Sequence, residues 1–245
     1  MPADLAPLNI IILIAVSFVT SAISATFGLG GGIALLIALL SFVPPIIALP
    51  VHALVQLGSN AGRAWILRPH IMKGVLQWFI PGTLLGVFLA SQIVFVLPTT
   101  ALQLLLALFI LWSIWAPRLS SIPVSEKHYL GVGGITSFAT MFLGATGPLL
   151  AVFLSPERYG RDRTVATHAA CMSMQHLVKI IAFGFLGVVL LDWMPLVLAM
   201  VGSGLVGTWI GAGLLRRIPE ASFKIAFKAV LTLLAVRLLY KALVG

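Results

Sequence analysis

The chain has 245 residues, of which 60% are hydrophobic and only 9% are charged, and its formal net charge is +9. Soluble globular domains carry about 25% charged residues, so this composition excludes an ordinary soluble domain. The positive charge does not indicate nucleic-acid binding, because Lys and Arg lie mostly in short breaks between apolar runs, where membrane topology explains them. The single cysteine, Cys171, cannot form an internal disulfide and is interpreted as a packing residue.

The apolar runs predict an all-α, polytopic membrane protein. In chain order the predicted segments are 8–26, 33–43, 46–67, 74–97 and 99–116, followed by 128–144, 148–155, 164–182, 193–215 and 223–243. Most of them approach the ~20 residues that a helix needs to cross a ~30 Å hydrocarbon core. Segments 33–43 and 148–155 are too short to cross, and short apolar stretches beside glycine and proline are typical of broken or re-entrant helices.

The two halves of the chain resemble each other. VHALVQLGSNAGR (51–63) aligns with THAACMSMQHLVK (167–179), and GTLLG (82–86) recurs as GTWIG (207–211). The second pair has the spacing of small residues that lets helices pack closely, and we assign it to packing. Two sequence repeats that carry polar residues within a hydrophobic chain are typical of secondary transporters. The substrate site of such a transporter lies where the repeats meet. We predict a first repeat at 1–117, a linker at 118–127 and a second repeat at 128–245, forming one transmembrane domain.

The breaks between segments alternate in charge. One set contains Arg68, Lys73, Arg118, Lys127, Arg158, Arg161, Arg163, Arg216 and Arg217, whereas the breaks at 44–50, 97–100 and 183–192 contain no Lys or Arg. The positive-inside rule places the first set, including the linker, in the cytosol and both termini outside, with Lys241 as a small exception. Because each repeat has an odd number of segments, the second repeat must run opposite to the first. This inverted arrangement is the geometric basis of alternating access.

Each short segment follows a glycine-rich string, GLGGG (28–32) in the first repeat and GATGP (144–148) in the second. A helix that begins inside the membrane has unpaired N–H groups and a partial positive charge at its start, which favours an anion. The residues expected to bind the anion at these starts are Gly31, Gly32, Thr146 and Gly147. Close helix packing by the same glycines is the alternative.

Polar residues form a stripe on the third segment of each repeat. At about 100° per residue, each set lies within an arc of about 100°: His52, Gln56, Ser59, Asn60 and Arg63, and then His168, Met172, Gln175, His176 and Lys179. The residues near mid-membrane are predicted to bind substrate, namely Gln56, Ser59, Asn60, Gln175 and His176. Those nearer the ends are predicted to gate, to attract an anion or to couple a proton, namely His52, Arg63, His168 and Lys179.

Two alternatives apply to the residues near the ends of the stripes. Arg63 and Lys179 have stems long enough to snorkel to the interface, and His52 and His168 can serve as hydrogen bonders between helices. The stripes contain no carboxylate. Cations bound within membranes usually require carboxylates or clustered carbonyls, so this residue set indicates a small oxyanion.

With these residues in view, the chain resembles the TauE/SafE (sulfite exporter, TSUP) family of membrane permeases. GLGGG, GATGP, the duplicated third segment and the GTLLG/GTWIG pair carry the resemblance over about 8–243; Thr146-Gly147-Pro148 departs from the usual glycine-rich string. The resemblance implies a bacterial inner-membrane permease for sulfite, sulfoacetate or another organosulfonate. The expected partners are a small anion, membrane lipid and a coupling proton or cation. The small-residue faces are compatible with a monomer or a homodimer.

Two other classes of function are less well supported by the sequence. A transition-metal transporter would use His52, His168 and His176 as ligands, but the stripes offer no Asp or Glu beside them. An intramembrane enzyme is not expected, because HExxH, GxSxG and paired-carboxylate patterns do not occur. We therefore expect no catalytic residue, no cofactor and no bound metal.

Overall fold

A computed structural model describes residues 5–27, 30–115, 122–154, 156–211 and 220–244, which contain α-helices and no β-strand. The helices up to the predicted linker are α1 (Pro7–Phe27), α2 (Gly31–Phe42), α3 (Pro45–Ile66), α4 (Lys73–Val94) and α5 (Thr99–Trp115). Those beyond it are α6 (Tyr129–Leu143), α7 (Gly147–Ala151), α8 (Pro156–Tyr159), α9 (Arg161–Phe185), α10 (Met194–Val206) and α11 (Glu220–Val244). A π-helical turn, Gly207–Gly211, continues α10. Short 3-10 turns lie at Arg68–His70, Glu126–His128 and Leu191–Trp193.

The predicted all-α membrane architecture is confirmed. Within the described ranges, three helical stretches are long and apolar enough to cross a membrane: Pro7–Ala25, Lys73–Val94 and Leu191–Ile210. Helices α3 and α9 have 22 and 25 residues, which gives lengths of about 33 and 38 Å at ~1.5 Å per residue. These are the two helices that carry the polar stripes.

Both predicted short segments are helices that start after a break. Gly30, with φ of 101°, precedes the 12-residue α2, and Gly144, with φ of 74°, ends α6 before α7. Glycine adopts such left-handed backbone without the steric cost that a side chain would add. Gly28 and Leu29 lie outside the described residues.

Helix α7 has only five residues, so the prediction of a helix over 148–155 was too long. The backbone turns after Ala151, and its carbonyls find partners elsewhere: Val152 accepts from the Ile122 amide at 3.0 Å, and Phe153 accepts from the Tyr129 hydroxyl at 2.7 Å. Pro156 then begins α8, in the first-turn position where proline is well tolerated.

The helices group into two compact units. The first contains Met1–Val55, Pro98–Ala116 and Val189–Gly245, and the second contains Gln56–Leu97 and Pro117–Val188. Each unit therefore takes helices from both predicted repeats, and the division falls within α3. The repeat boundaries at 117 and 128 stay a prediction from the sequence.

In the first unit, α1 packs closely against α10 and its π-helical turn. A Cβ atom at Gly207 would overlap the carbonyl oxygen of Phe18, so only glycine allows this approach. The Ser17 hydroxyl donates to the Met200 carbonyl at 2.7 Å across the same pair of helices. The GTWIG motif thus serves helix packing, as predicted.

In the second unit, α4 packs against α6 in the same manner. A Cβ atom at Gly82 would overlap the Leu130 carbonyl oxygen, and the Ser137 hydroxyl donates to the Thr83 hydroxyl at 3.0 Å. The packing role of GTLLG is therefore also confirmed. In each unit, the glycine motif of one predicted repeat contacts the first helix of the other.

A buried apolar cluster in the second unit positions the chain around α7. Its members include Tyr129 of α6, Leu150 of α7 and Cys171 of α9, none of which exposes more than 1% of its surface. Cys171 is a free thiol within this cluster, which confirms its interpretation as a packing residue. The cluster holds α7 beside the polar stripe of α9.

Candidate functional site

The side chain of Gln175 lies at the centre of a buried polar cluster in the second unit. It is fully buried, and its amide nitrogen donates to the Thr136 hydroxyl at 2.7 Å and to the Ser137 hydroxyl at 2.9 Å. Its amide oxygen accepts from the Thr146 hydroxyl at 3.4 Å. Gln175 therefore joins the polar face of α6 to the turn that precedes α7.

Lys179 lies one turn further along α9 and is also fully buried, with 0% of its surface exposed. Its ammonium donates to the carbonyl oxygens of Thr140, at 3.3 Å, and Gly144, at 3.1 Å. These carbonyls close the carboxyl end of α6, where a helix carries partial negative charge and favours a cation. The burial of Lys179 excludes the alternative that it snorkels to the interface.

The stripe on α9 faces the protein, as its spacing predicts. Met172 and His176 are buried beside Gln175 and Lys179, whereas Leu177 and Ile181 on other faces are 38% and 48% exposed. His176 is fully buried, with 0% of its surface exposed. Gln175, His176 and Lys179 of this stripe are therefore shielded from lipid.

The stripe on α3 is also turned away from the exposed side of its helix. Asn60 is buried and donates to the Gln56 carbonyl at 2.8 Å, while Gln56, Ser59 and Arg63 are partly buried. Trp65, outside the stripe, is 70% exposed. Among hydrogen bonds of the described residues, none joins a side chain of this stripe to Gln175 or Lys179. The predicted roles of Gln56, Ser59, Asn60 and Arg63 stay predictions.

The end histidines both contact the start of a short helix. In the first unit, His52 Nε2 lies 2.9 Å from the Gly32 carbonyl oxygen. In the second unit, His168 Nε2 lies 3.1 Å from the Gly147 carbonyl oxygen. Gly31 also packs against α1, since a Cβ atom there would overlap the Thr20 carbonyl oxygen. The packing alternative therefore accounts for Gly31, and no structural observation tests Gly31 or Gly32 as anion contacts.

Comparison with known protein families shows the family of this membrane protein. The family model described as "Sulfite exporter TauE/SafE" matches residues 13–238, nearly the whole chain. The chain belongs to the TauE/SafE sulfite exporter family. No curated protein and no solved structure matches it. Members of the TauE/SafE family are membrane permeases rather than enzymes, so the chain is a transporter of the sulfite-exporter type.

Part of the polar cluster in this TauE/SafE chain was not predicted from sequence. Thr136, Ser137 and Thr140 of α6 contact Gln175 or Lys179, yet their spacing alone does not mark them as site residues. The available signal was the duplication, because the Thr20-Ser21 pair of α1 aligns with Thr136-Ser137. A polar pair kept in both copies of a hydrophobic helix predicts a buried partner, although not which one.

Within the described part of the chain, no three His, Cys, Asp or Glu side chains lie close enough together to hold a metal ion. Lys179 pairs with carbonyl oxygens, and no carboxylate of the described residues neutralises it. The cluster around Gln175 and Lys179 therefore consists of hydroxyls, one amide, carbonyls and one cation.

Proposed function

We propose that the chain moves a small sulfur-containing oxyanion across the membrane, with sulfite, sulfoacetate or another organosulfonate as substrate. The observation that carries this proposal is the fully buried Lys179, whose ammonium has carbonyl partners and no carboxylate among the described residues. A buried cation without a counter-ion is costly, and an anionic substrate supplies the missing charge. Membership of the TauE/SafE family supports an oxyanion of sulfur.

The groups around Lys179 suit the oxygens of such an anion. The hydroxyls of Thr136, Ser137 and Thr146 surround Gln175, and a hydroxyl proton can rotate from one acceptor to another. When the anion arrives, the ammonium exchanges its carbonyl partners for the oxyanion, and the hydroxyls donate to the remaining oxygens. Charge-assisted bonds of this kind are stronger than those between neutral groups, which gives the exchange its driving force.

Transport proceeds by alternating access of the two repeats, which lie in opposite orientation in the inner membrane with both termini outside. The reciprocal packing of glycine motifs supports two related repeats: Gly207 contacts α1 in one unit, and Gly82 contacts α6 in the other. His176, buried beside Gln175, is the proposed carrier of a coupled proton, since histidine is the side chain that titrates near neutral pH. Homodimerisation remains a sequence-based expectation.

Ligand-dependent thermal stability of the purified protein tests the class of substrate. A ligand at 100 times its dissociation constant stabilises the folded state by about 2.7 kcal/mol, which is readily measured as a rise in melting temperature. We expect sulfite or a sulfonate to raise the melting temperature, and Zn²⁺ and Mn²⁺ to leave it unchanged. Stabilisation by a metal ion, reversed by a chelator and not produced by any sulfur oxyanion, would instead support the histidine-based metal transporter.

A further inference from the structure

Two histidines at equivalent positions in the repeats make the same contact. His52 on α3 and His168 on α9 align in the duplicated stretch. Each places Nε2 within hydrogen-bond distance of a carbonyl oxygen in the first turn of its own short helix, at 2.9 Å for Gly32 and at 3.1 Å for Gly147. The contact occurs once in each compact unit, so the two observations are independent of each other.

The chemistry of this contact fixes the direction of the hydrogen bond. A backbone carbonyl oxygen can only accept, so Nε2 must carry the proton and donate in both cases. A carbonyl in the first helical turn has a second lone pair beside the one used within the helix. The imidazole can therefore bind from the side without displacing a bond of the helix, and it leaves the N–H groups at the helix start available.

The short helices need contacts from other parts of the protein to keep their first turns in place. Helix α2 has 12 residues and α7 has five, and helices of this length are marginal on their own because nucleation is costly. The first turn of α2 is held from two sides, by α1 against Gly31 and by His52 at Gly32. At α7 a Cβ atom on Gly147 would lie 3.6 Å from the His168 ring, which is ordinary contact, so close backbone packing does not fix this helix start. The His168 hydrogen bond at Gly147 therefore adds to the apolar cluster, which holds α7 further along through Leu150.

We propose that His52 and His168 are positioning residues that fix the starts of the two broken helices, rather than groups that gate the anion or carry a proton. The inference rests on the proposed function, because a fixed start of α7 keeps the Thr146 hydroxyl against Gln175 in the anion cluster. It replaces the sequence-based expectation for both histidines. Their role requires a donor N–H at the position of Nε2 and no change of protonation.

Paired substitutions at His168 separate the two roles. Glutamine keeps an N–H donor at nearly the same reach but has no titratable group, whereas alanine removes the donor. In His168→Ala we expect amide exchange in 147–151 to accelerate and the half-saturation concentration for sulfite to rise, each about three- to tenfold, with less change in maximal rate. In His168→Gln both quantities should stay within about twofold of wild type. His52→Ala and His52→Gln should act in the same way on 31–42.

His70, an exposed histidine in the Arg68–His70 turn, supplies the matched control, and His70→Ala should leave both readouts unchanged. Two results would overturn the positioning role. Either His168→Gln loses transport as His168→Ala does, which would show that the imidazole itself is needed, or His168→Ala leaves amide exchange unchanged. Absence of sulfite transport in the wild-type protein would refute the proposed function instead, and amide exchange would still decide the role of the histidines.

Discussion

Replacing Lys179 with methionine is expected to reduce sulfite transport by at least about 100-fold while leaving the protein folded. Methionine keeps an unbranched apolar stem of similar length, and exchange of a buried charge for a well-packed apolar group is often neutral or stabilising. Loss of the ammonium removes the only charge found in the polar cluster of the described residues. The measurement is the initial rate of sulfite uptake by proteoliposomes that contain equal amounts of monodisperse protein.

Lys73→Met is the matched control, because Lys73 is an exposed lysine at the start of α4. It should transport at nearly the wild-type rate. Wild-type transport by Lys179→Met would show that the buried cation does not hold the substrate, and the proposed site would then be wrong. Loss of folded protein in Lys179→Met would show that its bonds to Thr140 and Gly144 stabilise the turn after α6 more than its burial costs.

The second large effect, a loss of folded protein, is expected when leucine replaces the first glycine of either packing motif, GTLLG or GTWIG. Gly82→Leu and Gly207→Leu each place a side chain where a neighbouring backbone carbonyl already lies. A backbone atom within a helix cannot rotate away, so the helices must separate, at a cost on the order of 3 kcal/mol or more. We expect little or no monodisperse protein from either variant, as measured by size-exclusion chromatography and thermal melting.

Glycines on open surfaces of the same units serve as controls. A Cβ atom at Gly202 of α10 or at Gly131 of α6 would meet no atom within 4 Å. Gly202→Leu and Gly131→Leu should therefore yield folded protein with a melting temperature near that of wild type. Equal losses of folded protein in all four variants would mean that leucine harms these helices irrespective of packing. The close approach of the backbones at Gly82 and Gly207 would then not explain the loss.

The helices themselves could be predicted from sequence with few errors. Apolar runs interrupted by glycine, proline and charge mark where a chain can cross a bilayer, and both stripes fall on protected faces because helical periodicity decides which side chains share a face. Helix α7 was predicted too long because apolar composition does not reveal where backbone carbonyls find other partners. The Tyr129–Phe153 bond depends on tertiary packing that no local pattern encodes.

The partners of the site residues could not be predicted in the same way. The spacing of Gln175 and Lys179 places them on one face, but their partners on α6 depend on which helix packs against that face. The position of Lys179 near a helix end is equally compatible with a buried site residue and with a side chain that snorkels to the interface. Only its burial in the structure distinguishes these alternatives. The duplication predicted two similar repeats, but not that each compact unit would combine helices from both.

The buried, carboxylate-free cluster around Gln175 and Lys179 is proposed to bind a sulfur oxyanion. The most direct measurement is counterflow of radiolabelled sulfite in proteoliposomes that contain the wild-type chain. We predict saturable accumulation that organosulfonates compete for and that Zn²⁺ and Mn²⁺ leave unchanged. Accumulation no greater than in protein-free liposomes, together with saturable movement of a metal ion, would contradict the account.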